Sequence, residues 1–128
     1  MTIKHHLFLA TAIAVGVGCS SAGASGEPGM IRRSSLLTAE EIANAHADLN
    51  TAYDAVARLR PNWLAPHGAN AYAKVFVNGQ PTGDLASLRQ FQAFYVASIR
   101  YYDVTESTAR FGVRGGDAGV IDVTLRSP

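Results

Sequence analysis

The sequence predicts an α+β fold, a single small domain in which short helices accompany a small mixed or antiparallel sheet. Three observations predict it. Two capped, apolar-periodic segments come first, at 38–46 and 51–60. Two segments of alternating polarity come late, at 97–103 and 119–126. Between them, the β-rich run Tyr72–Val77 ends in Asn78-Gly79, a strong two-residue hairpin signal because both residues tolerate positive φ. The expected order is α-α-β-β-(short α)-β-α-β.

Taken in chain order, Thr38-Ala-Glu-Glu41 reads as a capping box, with Thr38 at the N-cap and Glu41 three residues on. The helix it opens is expected to reach His46, with Ala39, Ile42 and Ala43 inward. A second helix, Thr51 to Arg60, is expected to be capped by Asn50 and to present Ala52, Val56 and Leu59 as one stripe. Asp54 and Arg58 form an i,i+4 pair on its outer side, and Pro61 stops it. Pro61–Asn70, with two prolines and a glycine, reads as a loop. Ala73, Val75 and Val77 then share one strand face. Gln80–Thr82 returns as a short strand, which Pro81 confines to a sheet edge. In Ala97–Asp103, Ala97, Ile99 and Tyr101 oppose Ser98, Arg100 and Tyr102. A short helix fits Glu106–Phe111, with Thr105 as cap and Gly112 as stop. Arg114–Gly119 is a glycine-rich turn. In the last strand Ile121, Val123 and Leu125 face the core, against Val120, Asp122 and Thr124.

The N-terminus reads as an export leader. Lys4 supplies a basic n-region, and Leu7–Val17 is an uncharged apolar run of about eleven residues, too short for the ~20 that span a ~30 Å bilayer. Val15-Gly-Val-Gly-Cys19 follows and resembles a bacterial lipobox, in which the chain is cut between Gly18 and Cys19 and the cysteine is diacylated (palmitate). The alternative is a plain signal peptide cut after Ala22-Gly23-Ala24. Two acyl chains anchor stably where one is marginal, and Ser20 after the cysteine resembles the outer-membrane address of Gram-negative lipoproteins. Residues 1–18 are thus expected as a lipoprotein signal peptide, 19–29 as a flexible Ser/Gly/Pro tether, and 30–128 as the domain.

Composition narrows the function classes. The chain has 128 residues, 48% apolar and 16% charged, which excludes wholesale disorder. Eleven Lys+Arg against ten Asp+Glu give +1, too balanced for an electrostatic nucleic-acid binder. A single cysteine excludes an internal disulfide framework and a thiolate zinc cluster. Loss of Lys4, His5 and His6 with the leader leaves ten basic and ten acidic residues and two histidines, His46 and His67.

The ordered set of pieces from 31 to 126 resembles the plug domain of TonB-dependent outer-membrane receptors. Leu37-Thr-Ala-Glu-Glu-Ile42 and Tyr53-Asp-Ala-Val56 resemble two plug helices. Val75-Phe-Val-Asn-Gly-Gln80 resembles the plug strand that ends in D-G or N-G, and Gly83-Asp84-Leu85 follows it. Ala97–Asp103 stands where that family has an alternating strand. Ala109-Arg-Phe-Gly112 and Gly116-Asp-Ala-Gly-Val-Ile-Asp-Val-Thr124 resemble its aromatic-Gly pair, glycine-rich turn and closing strand. The resemblance implies a plug-like α+β domain in an outer-membrane setting. In that family a barrel of about 22 strands follows the plug; residues 1–128 hold none and carry no evident TonB box. A stand-alone plug-like domain is therefore expected, without energy-coupled transport. No ligand-contact residue carries over.

The residues themselves offer little catalytic pattern. Glu40 and Glu41 are adjacent in a first helical turn and point about 100° apart. Asp103 and Asp122 read as outward strand polars. His46 suits a helix end, and neither H-x-x-x-H nor H-E-x-x-H occurs. Gly112–Gly119 superficially resembles a phosphate loop but precedes a strand, where such loops precede a helix; Arg114-Gly-Gly116 occurs once. Phe91, Phe94, Tyr95, Tyr101 and Tyr102 concentrate aromatic mass that is expected to be mostly core. Trp63, between prolines, is expected to be exposed, an anchor for a protein partner with His67 as a polar rim contact. The expectation is a non-enzymatic, lipid-anchored outer-membrane protein that binds a protein partner or a ligand, with no catalytic residue, no metal, no cofactor and no nucleic acid. Which side of the membrane it faces stays open. The alternatives are a small cell-envelope enzyme and an orphan plug fragment.

Overall fold

The structure, a computed structural model, describes residues 34–45 and 48–128. The signal peptide 1–18, the tether 19–29, the Gly18–Cys19 junction and His46 lie outside the described residues. The described chain is a single α+β domain built on one five-stranded mixed sheet. Its strands are β1 (Leu36–Thr38), β2 (Lys74–Val77), β3 (Gln80–Gly83), β4 (Val96–Tyr102) and β5 (Val120–Leu125), in the spatial order β1-β4-β5-β2-β3. Only the β2–β5 pairing is parallel; the others are antiparallel. The helices are α1 (Ala39–Asn44), α2 (Ala52–Leu59) and α3 (Val104–Phe111), supplemented by 3-10 turns at Pro61–Leu64, Leu85–Gln90, Ala93–Tyr95 and Gly112–Gly115.

Strand alternation sorts the apolar residues into two clusters of unequal size. On one face, Leu37, Val75, Val96, Ile99, Ile121 and Val123 pack against Ile42 of α1, Ala52, Ala55 and Val56 of α2, and Trp63, Leu88 and Ala93 of the 3-10 turns. On the other face, Phe76, Tyr102 and Val120 form a small cluster against which the half-buried Phe111 of α3 packs. The inward residues expected of the last strand are there: Ile121 and Val123 are fully buried, and Leu125 packs on the main core.

Local signals decide most boundaries. Thr38 caps α1 in a complete capping box with Glu41. Ile42 is buried as expected, but Ala43 is exposed, and this six-residue helix ends at Asn44, short of the expected His46. At α2 the cap is Thr51, not Asn50. Its hydroxyl accepts from the Asp54 N–H while the Asp54 carboxylate accepts from the Thr51 N–H, so Asp54 belongs to the cap rather than to an outer pair with Arg58. Asp103, not Thr105, caps α3, accepting from the Glu106 N–H at 2.8 Å, and the helix starts at Val104, two residues before the expected Glu106. Asn78 and Gly79 form the β2–β3 hairpin with φ of 49° and 76°, and β3, with Pro81, is the edge strand.

Candidate functional site

The Pro61–Asn70 segment lies largely at the surface, but it turns its one tryptophan inward. The Arg60 N–H closes α2 on the Val56 carbonyl, and the Trp63 N–H then bonds to the Arg60 carbonyl, so the chain turns tightly and carries the indole back beneath α2. Trp63 is 3% exposed, which corrects its expected role as a surface anchor. Its ring stacks on Tyr101 at 5.8 Å, and His67 stacks on the same tyrosine at 5.9 Å. The two candidate contact residues are thus brought together through Tyr101, but only the half-buried His67 reaches solvent. The Tyr101 hydroxyl donates to the Ala118 carbonyl at 3.2 Å and lies 3.4 Å from His67 Nε2. Burial, with the charge of Asp103, pushes the Tyr101 hydroxyl above its ordinary value, so it is neutral at physiological pH and no ready base.

Glu41, Asp103 and Asp122 are committed to structure. Burial pushes Glu41 up, but hydrogen bonds from Arg60 and from the Thr38 N–H, with the Arg60 charge, outweigh it and hold its carboxyl below the usual range. Asp103, expected as an outward strand polar, caps α3 instead, and Asp122 accepts from the Gly79 N–H at 3.1 Å. Glu40 is exposed in the first turn of α1. Among the described residues no three His, Cys, Asp or Glu side chains gather as metal ligands. The glycine-rich segment is a packing device: at Gly119, φ is 86° and a Cβ would run into the Tyr102 carbonyl.

The sheet face carrying Phe76 offers a different arrangement. Because α3 covers only one end of it, two clefts open beside Phe76. One, of about 520 Å³, is walled by Tyr72, Lys74, Pro81, Asp84 and Arg114. The other, of about 400 Å³, lies between Gly79, Gln80, Arg110 and Phe111. Phe76 and Arg114 line both. Each falls within the usual size of small-molecule sites, roughly 300–1,000 Å³. Asp84 spends its carboxylate on the Ala86 N–H as the cap of a 3-10 turn. Among the described residues, the ion pair within 4.0 Å is Arg60–Glu41, so Lys74, Arg110 and Arg114 stand at the clefts without a carboxylate in contact.

Sequence reasoning missed this site. Lys74 and Arg114 are forty positions apart and meet because β2 runs parallel to β5, whose preceding turn carries Arg114. The one available signal was that Lys74 and Phe76 alternate with the inward Ala73, Val75 and Val77.

Comparison of the chain with protein-family models, curated proteins and solved structures finds no match.

Proposed function

We propose that the chain is a non-enzymatic, lipid-anchored protein of the outer membrane whose plug-like domain binds a ligand or protein partner at the sheet face beside Phe76. The observation that carries the binding reading is the pair of adjoining clefts with an aromatic floor and a cationic rim. An aromatic, concave surface with a few polar groups on its wall has the chemistry of a binding site, since apolar contact supplies affinity and the charges supply orientation. The envelope setting rests on the leader: a short apolar run, then Gly18-Cys19. The resemblance of segments 31–126 to receptor plugs supports the same compartment.

Anchoring is tested by Cys19→Ala. Radiolabelled palmitate is expected to enter the wild-type chain and not the variant, and the variant should leave the membrane fraction. A mature N-terminus at Ser25 by mass spectrometry would sink the anchor. Binding is tested by a photo-crosslinking residue at Gln80, in the cleft wall, with Ala57 on the exposed side of α2 as control. Irradiation of cells should give an adduct of defined mass at position 80 alone. Equal adducts at both positions, or none at 80, count against the reading.

A further inference from the structure

The two clefts are joined by shared residues, and their chemistry selects among ligands. The floor is apolar: Phe76, 1% exposed, with the Phe111 ring 4.4 Å away on one side and Pro81 and the 53% exposed Tyr72 on the other. The rim is cationic: among the lining residues Lys74, Arg114 and Arg110 face one acid, Asp84, which accepts from a backbone N–H, while the buried Asp122, beside Phe76 in the sheet register, is turned to the Gly79 N–H. The Lys74 stem lies close to the turn at Gly116. A Cβ at Gly116 would come within 2.9 Å of Lys74 Cε and 3.1 Å of its Cδ, so the lysine stem lies flat along the turn that carries Arg114. Arg110 is braced over the Tyr102 and Phe111 rings at 5.2 and 5.6 Å. A cation braced as Arg110 is loses less side-chain freedom on meeting an anion, and charge-assisted hydrogen bonds to a carboxylate are the strong ones.

We infer that the joined clefts bind an amphipathic carboxylate, a single apolar chain lying over Phe76 with its carboxylate between Lys74 and Arg114. This rests on the binding reading above and names its ligand class. A neutral apolar molecule leaves the cations unused; a small hydrophilic anion leaves the exposed Tyr72 ring and Pro81 of the wall uncovered. A bilayer surface would instead engage Val113, 97% exposed beside Arg114 and outside both clefts.

The test titrates the full chain carrying Cys19→Ala with monomeric dodecanoate, with dodecanol and acetate as half-ligands, by calorimetry and amide resonances. Dodecanoate should bind one to one and move the amides of Lys74, Phe76, Gly79 and Arg110–Arg114, while neither half-ligand saturates. Lys74→Gln and Arg114→Gln, both at exposed positions, should each weaken binding about tenfold, and Val113→Ala should leave it unchanged. Dodecanol binding as tightly as dodecanoate, or unchanged affinity in both charge variants, overturns the assignment. So does binding to anionic phospholipid vesicles that Val113→Ala weakens, without binding of the monomer. If a glutamate-rich peptide moves these amides and dodecanoate does not, the ligand class fails and the binding reading survives. If no probe moves them and position 80 forms no adduct, both fail.

Discussion

Arg60 is 1% exposed and fully occupied in holding three segments together. Its Nε donates to the Ser34 carbonyl at 3.1 Å, Nη1 to Leu59 at 3.0 Å, and Nη2 to Leu36 at 3.0 Å and to Glu41 Oε1 at 2.8 Å. A guanidinium taken out of water is tolerated only with such partners, and removing its counter-charge leaves an uncompensated buried cation. Glu41→Gln keeps the shape but not the charge, and is expected to cost about 3 kcal/mol, read by urea unfolding at pH 7. The same carboxylate sets an acid limb. Its folded pKa is depressed, so its contribution is complete above the unfolded value, near 4.5, and is lost as pH falls through the folded value. Asp54 acts in the same direction, held down first by the hydrogen bond from the Thr51 side chain. Stability should therefore fall on acidification below about pH 4.5, and Glu41→Gln should fall less steeply there than wild type. Parallel acid limbs would show that Glu41 is not linked to folding.

At the scale of elements, the β2–β3 hairpin shows local chemistry serving the whole sheet. Val77 pairs with Gln80 across a two-residue turn, and that turn reaches over β5: the Gly79 N–H donates to Asp122 Oδ1, and Asn78 Oδ1 accepts from the Leu125 N–H at 3.0 Å. Gly79→Val forces a β-branched residue to φ near 76° and is expected to cost about 1–2 kcal/mol, seen as a lower denaturation midpoint with an unchanged slope; a midpoint equal to wild type would mean that the turn relaxes freely. This hairpin was legible because its signal lies in adjacent residues, as was the Thr38 capping box. β1 was not, because Leu36–Thr38 is three residues long and its pairing to Ser98–Arg100 of β4 lies some sixty positions away. The caps at Thr51 and Asp103 lay within two residues of those expected, since Asn50 and Thr105 are also residue types that cap helices. The burial of Trp63 and Arg60 was illegible for a tertiary reason. A Pro-rich stretch reads as loop whether its side chains turn out or in, and here the ring and the guanidinium find cover from residues distant in sequence, in β4, β1 and α1, as well as from α2.

The molecule as a whole has one strong face and one weak face. On the strong face Trp63 wedges between α2 and Tyr101 of β4, and Trp63→Ala is expected to cost about 3–5 kcal/mol, a large part of the roughly 5–15 kcal/mol that stabilises a small domain. Its melting temperature should drop accordingly; an unchanged melt would return the indole to the surface. The weak face is held differently. Of the eight residues of α3 only Ser107 is buried, and the helix touches the sheet through the half-buried Phe111 against Phe76 and Tyr102. Its cap at Asp103 and the left-handed stop at Gly112, φ 62°, define its ends without adding apolar contact. Opening α3 therefore exposes little apolar area, while opening β5 breaks pairings to both β4 and β2 and empties the main core. Amide hydrogen exchange under native conditions should show α3 opening at a free energy well below that of β4 and β5, as a separate cooperative unit. Phe111→Ala should lower α3 protection further and leave the strand amides near their wild-type values, because Ile99, Ile121 and Val123 lie across the sheet from it. Equal opening energies for α3 and the strands would show that the small cluster belongs to the same cooperative core.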